Sequence, residues 1–170
     1  MQQRNRRPAH RAHDTTSSEA LLGKNPPANL EAERAVLGAL LLNDEWVSQV
    51  AEILQPEDFY NPQHKIIFEH IMHLAEHYKR VDLVTLQDEL NKKELLDAAG
   101  GVVYLISLQE EIPSAGLVTQ HAKIVKEKAI LRDLIGTATH IISNCYSQDE
   151  KQIDAVLDEA EKNLCSFIRY

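Results

Sequence analysis

The stretch that decides the fold is residues 130–168, ILRDLIGTATHIISNCYSQDEKQIDAVLDEAEKNLCSFI. Leu131, Ile135, Ala138, Ile142 and Cys145 recur there in steps of four and three. Ile153, Leu157, Ala160, Leu164 and Phe167 do the same after a polar break from Tyr146 to Gln152. Such spacing holds side chains on one seam of an α-helix. A break this short folds the two helices back as an antiparallel hairpin, with those two seams facing each other.

The hairpin carries more apolar surface than one seam uses. Ile130, Leu134 and Ile141 form a second stripe beside the first, and Val156 and Ile168 flank the returning seam. A lone two-helix arm cannot cover both sides. A second copy packed on these five residues would bury the remainder, at about 25 cal/mol per Å² of apolar area. Ile130, Leu134, Ile141, Val156 and Ile168 are therefore the expected self-association residues, the alternative being that the head folds back over this stripe.

Upstream of the hairpin the pattern is a series of short helices. Asn29 caps the first, with Glu31 and Glu33 in its opening turn and Leu30, Val36, Leu37, Leu40 and Leu41 as its buried face. A second helix carries Trp46, Val47, Val50, Ile53 and Leu54 and stops before Pro56. Asn61-Pro62 starts the third, which buries Ile67, Ile71, Leu74 and Tyr78, with Phe68 and Ala75 beside them. Asp82 or Thr85 caps the fourth, and Thr85 to Asp88 has the outline of a capping box. Gly100-Gly101 turns the chain into a fifth, with Val102, Leu105, Ile106 and Leu108. After Pro113-Ser114 comes the longest helix, about Ala115 to Cys145; its first half covers the head and its second half projects. Val81 to Val84 is too short and isolated to make a sheet. The expected fold is all-α: a compact head of about five helices, then a long antiparallel hairpin. The boundaries follow as a basic arm over 1–28, a head over 29–113 and a dimerising hairpin over 114–170.

The 170 residues carry a net charge of −8, unevenly spread. Residues 1–28 hold Arg4, Arg6, Arg7, Arg11 and Lys24 against Asp14 and Glu19, a net of +3, which leaves −11 for the rest. An acidic body argues against broad nonspecific DNA binding. Aromatic residues make up only 5 %, so the core is mostly aliphatic. On the hairpin, Cys145 and Cys165 stand too far apart for a disulfide, which suits a reducing compartment. No apolar run is long enough to span a membrane, and the N-terminus has no apolar signal segment.

The chain shows no catalytic kit. His70, His73 and His77 share one strip of the third helix, but no Cys lies nearby and no carboxylate has ligand spacing, so a solvated strip is the reading rather than a zinc site. His64 and His121 stand alone. Gly23-Lys24 lacks the glycine, the Ser/Thr and the preceding strand that a phosphate-binding loop needs. Carboxylates fall on polar helix faces, where solvation is the default. Lys123, Lys126, Lys128 and Arg132 form a basic strip on the long helix, and Lys126 and Arg132 are the candidate partner-binding residues on it.

Several segments, taken in order, resemble the N-terminal domain of bacterial replicative DNA helicases of the DnaB family. They are Pro27-Ala-Asn-Leu-Glu-Ala-Glu-Arg-Ala-Val-Leu-Gly-Ala-Leu-Leu, Glu57-Asp-Phe-Tyr, His64, Ile67-Phe, Val81-Asp-Leu-Val-Thr-Leu, Gly100-Gly with Tyr104-Leu, and Ile112-Pro-Ser-Ala. The resemblance runs from residue 27 to about 168. It implies a non-catalytic collar domain: a helical head and hairpin that pair, with three pairs crowning a hexameric, ATP-dependent 5′–3′ helicase in the bacterial cytoplasm. It implies docking of the primase C-terminal helical domain and of the helicase loader, and contact with single-stranded DNA weakly or only through the full ring. ATP and Mg belong to a RecA-like motor domain absent from these residues, so no cofactor is expected here, and the chain is either an excised domain or a truncated product. A standalone helical protein that regulates the helicase is the alternative.

Overall fold

Helix α1 (Leu30–Leu42) begins where Asn29 Oδ1 accepts the Ala32 N–H at 3.0 Å, the side-chain cap that releases the chain into a helix. The computed structural model describes residues 23–77, 80–110, 115–146 and 153–165. A 3₁₀ turn (Asp44–Trp46) leads into α2 (Val47–Ala51), and a second (Pro56–Asp58) into α3 (Pro62–Glu76). Then come α4 (Leu83–Lys92), α5 (Gly101–Glu110), a 3₁₀ turn (Ala115–Leu117), α6 (Val118–Tyr146) and α7 (Ile153–Cys165). There is no strand among the described residues. The all-α head with a hairpin is thus the architecture found. Tyr78, Pro113, Ser114, Phe167, Ile168, the hairpin turn and most of the basic arm lie outside the described residues.

The starts of the elements follow local chemistry. Asn61 caps α3 through the Gln63 N–H, with Pro62 at the first helical position. The capping box of α4 is Asp82 with Thr85, one turn earlier than the Thr85–Asp88 outline. The Thr85 N–H holds the Asp82 carboxyl below the usual carboxylate range. Gly100 and Gly101 have φ of +98° and +77°. A Cβ on Gly100 would also strike the Tyr104 ring at 2.8 Å, so glycine here both turns the chain and admits that ring.

The core sits around α1. Val36, Leu37 and Leu40 pack with Ile67, Phe68 and Ile71 of α3, Leu86 and Leu90 of α4, and Leu105 and Leu108 of α5. Val118, Ala122, Val125 and Ala129 of α6 are buried too, so the first half of the long helix is a wall of the head. Leu30 and Ile106 depart from expectation; both are exposed, at the rim of the core.

Polar groups are not all on the surface. Glu33, expected on a solvated face, is 1 % exposed. Its Oε1 accepts the Tyr60 N–H at 2.8 Å, and Oε2 accepts the Asn61 N–H at 3.3 Å and meets His64 Nδ1 at 2.6 Å. His64, which stands alone in the sequence, is fully buried; its Nε2 meets the Tyr104 hydroxyl at 2.5 Å. Complementarity assigns the proton to Nδ1, so Nε2 accepts from tyrosine. One carboxylate thereby joins α1, the entry to α3 and α5.

A second polar knot fastens the head to the hairpin. Asp58 is 7 % exposed and takes Lys126 Nζ on both oxygens, at 3.1 and 3.0 Å. Arg132 donates to the Pro27 carbonyl at 2.9 Å and to the Asp58 carbonyl at 2.5 Å, and its guanidinium lies 5.6 Å from the Tyr60 ring centre. Lys126 and Arg132, the candidate partner-binding residues, engage the head through these contacts. A buried carboxylate and two backbone carbonyls supply the acceptors.

Two outcomes check these knots. Glu33→Ala strands two backbone N–H groups and an imidazole in the core and should cost about 3–5 kcal/mol in urea unfolding; a loss under about 1 kcal/mol would contradict the network. Arg132→Lys loses the planar fork whose two nitrogens reach the two carbonyls separately, so the hairpin should swing more freely. Nitroxides at Gln49→Cys and Thr139→Cys, with Cys145 and Cys165 replaced by serine, should give a broader spin–spin distance distribution in Arg132→Lys than in the parent. An unchanged width would place the stiffness elsewhere.

Candidate interaction surface on the hairpin

Helix α6 leaves the head at about Ala129 and carries three parallel stripes beyond it. The head-facing stripe, Val118, Ala122, Val125 and Ala129, continues to Arg132. One residue on, about 100° round the helix, come Ile130, Leu134, Thr137, Ile141 and Asn144, all half-buried. One residue further come Leu131, Ile135, Ala138 and Ile142, all exposed. On α7, which packs along α6, Val156, Ala160 and Asn163 are half-buried, while Ile153 and Leu157 are exposed.

This order is the reverse of the expected one. The stripe assigned to the inside of the hairpin, Leu131, Ile135, Ile142, Ile153 and Leu157, is 40–77 % exposed. The stripe expected to face a second copy, Ile130, Leu134, Ile141 and Val156, is the better covered. The reason is azimuth. The head holds α6 through Ala122, Val125, Lys126, Ala129 and Arg132, which fixes its rotation. The Ile130–Leu134–Ile141 stripe is then the one turned towards α7. Ile168 lies outside the described residues, as does the side chain of Leu164.

The outward stripe is an apolar ridge along both helices, with Tyr146 exposed near its tip. It is aliphatic along its described length, so it can bury area against a complementary surface. Cys145 is exposed as a free thiol at the same end.

The other candidates separate. His70 donates Nδ1–H to the Ile66 carbonyl at 2.9 Å, and His77 does so to the His73 carbonyl at 2.8 Å. His73 Nδ1 lies 3.3 Å from Glu89 Oε1, an ion-pair distance without an aligned hydrogen bond. Among the described residues no group of three or more His, Cys, Asp or Glu side chains is placed to hold a metal ion. No helix among them is long and apolar enough to cross a membrane. Sequence reasoning missed Glu33, Asp58 and Glu89 as buried carboxylates. A signal for the first exists: Glu33 falls among Ala32, Val36 and Leu37 on the apolar side of its helix.

The model of the DnaB-like helicase N-terminal domain matches residues 25–127. The chain is 43 % identical over 147 residues to the replicative DNA helicase DnaB of Geobacillus stearothermophilus, covering 86 % of this chain and 32 % of that protein. It is 40 % identical over 147 residues to the replicative DNA helicase DnaC of Bacillus subtilis, again with 86 % and 32 % covered. The chain thus spans about a third of the length of the curated relatives it matches. The crystal structure of the N-terminal domain of DnaB helicase from Mycobacterium tuberculosis superposes with a TM-score of 0.78 at 34 % identity, covering 84 % of this chain and 99 % of that one. A structure of a DnaB-like replicative helicase and its interactions with primase superposes with a TM-score of 0.69 at 28 % identity, covering 81 % and 31 %. With the fold, the order of its landmark segments and the match over residues 25–127 in agreement, the chain belongs to the DnaB-like helicase N-terminal domain family.

Proposed function

We propose that this chain is the non-catalytic collar domain of a bacterial replicative DNA helicase, acting in DNA replication by self-association and by docking primase. The observation that carries the reading is the ridge of Leu131, Ile135, Ile142, Ile153 and Leu157, left exposed while the neighbouring Ile130, Leu134, Ile141 and Val156 are half-buried. Five half-exposed aliphatic side chains in heptad register suit a second hairpin of the same chain. Full burial of each is worth on the order of 1.5–3 kcal/mol, discounted here because each starts partly covered. Pairs made this way would assemble in threes on the ring.

The relatives are replicative DNA helicases, and one structural neighbour is described with primase. By that analogy the partners are the primase C-terminal helical domain and the loader, with single-stranded DNA met through the ring. ATP and Mg chemistry belongs to the motor domain of the longer protein, so the domain itself takes no cofactor and works in the cytoplasm. Lys126 and Arg132 serve docking by holding the hairpin at a fixed angle, since Asp58 and Pro27 already engage them.

Ile135→Asp and Ile142→Asp should weaken self-association by about 100-fold or more in sedimentation experiments, with helical circular dichroism unchanged. Leu134→Asp and Ile141→Asp should instead lower helicity by opening the hairpin. Pull-down of a primase helical domain by the parent chain, and its loss in Ile135→Asp, would be the matching functional result. A monomeric parent that also fails to capture primase would refute the collar reading.

A further inference from the structure

A groove of about 1100 Å³ opens on the head between α2 and α3, away from the hairpin ridge. Its walls carry Asp44, Glu45, Glu69 and Glu76 against one lysine, Lys93. Glu69 and Glu76 are exposed and make no ion pair among the described residues; Arg80 stands 3.9 Å from Asp44. The floor is apolar and only partly covered, with Ile66, Met72, Ala75 and Leu95 half-buried. An acidic rim over an open apolar floor fits a cationic peptide segment: carboxylates for guanidinium groups, methylenes against the floor.

The chain itself supplies such a segment. Arg4, Arg6, Arg7 and Arg11 fall within eight residues that contain no acid. The root of that arm is tied to the turn that borders the groove. Arg132 joins the Pro27 carbonyl to the Asp58 carbonyl, so Pro27 stands one guanidinium away from the turn whose Gln55 and Pro56 line the groove wall. The seventeen residues from Arg11 to Pro27 can extend to about 50 Å, further than the head is wide. Tethering at this range gives an effective concentration on the order of millimolar, so even weak charge pairing fills the site.

We propose that the basic segment around Arg4–Arg11 docks in the acidic groove of its own head, with its arginines on Glu69, Glu76 and the Asp44–Glu45 corner. The arm then occupies the groove as an intramolecular competitor, and a cationic segment from elsewhere enters only by displacing it.

The test uses the full chain, ¹⁵N-labelled, with a nitroxide on Asn5→Cys and serine at positions 145 and 165. In about 50 mM NaCl, amide signals of Ser48, Glu69 and Glu76 should lose at least half their intensity. They should recover in about 0.5 M NaCl, where the screening length falls to a few ångströms. They should also recover in Glu69→Lys/Glu76→Lys, whose own amide spectrum reports whether it folds. Broadening that is absent, centred on the hairpin, or unchanged by the charge reversal would overturn the proposal. So would broadening of ¹⁵N chains by spin-labelled unlabelled copies, which would assign the groove to a neighbour's arm.

Discussion

Helix α6 is one unbroken rod of 29 residues that belongs to two structures at once, and this continuity governs the molecule. A helix cannot turn about its axis halfway along without breaking backbone hydrogen bonds. The rotation that buries Ala122, Val125 and Ala129 in the head therefore dictates which side chains face α7 twenty ångströms further out. It also dictates which remain open. The head, in effect, aims the ridge.

The polar knots keep that aim. Asp58 sits in a 3₁₀ turn between α2 and α3, where its carboxylate also accepts the Gln55 N–H at 2.7 Å. Lys126 and Arg132 grip this turn from two positions on α6, about one and two-thirds helical turns apart. Tyr60 next to it carries the Arg132 guanidinium on its ring, and its backbone N–H is held by Glu33. The lever is thus fixed to the same turn that the buried carboxylate of α1 fixes from the other side. Damage at Glu33 would reach the hairpin through three residues of chain.

Much of the fold is legible in the sequence because it rests on local rules. Asn29, Asn61 and Asp82 cap helices with their own side chains, and Gly100-Gly101 turns the chain where only glycine fits. Two features were not legible, for one shared reason. The Leu131 and Ile130 stripes have the same heptad spacing, and only the packing of α6 on the head, fixed by residues up to 105 positions away, chooses between them. Likewise His64 and Glu33 are 31 residues apart and Lys126 and Asp58 are 68 apart, so nothing in the local pattern marks them as pairs. The segments that carry the family resemblance do contain them, Glu33 in the first, Asp58 and Tyr60 in the second, then His64 and Tyr104. These five residues are strung along the chain but meet at one junction in space.

The outward ridge gives this geometry its consequence, since this exposed stripe is the surface proposed to pair with a second copy. The most direct measurement is methyl NMR with a soluble gadolinium chelate, repeated across a dilution series. Methyls of Ile135, Ile142 and Leu157 should be shielded from the chelate in concentrated solution and become accessible on dilution, while Leu134, Ile141 and Val156 stay unchanged. Outer methyls equally accessible at every concentration, or inner methyls the more accessible set, would contradict the account.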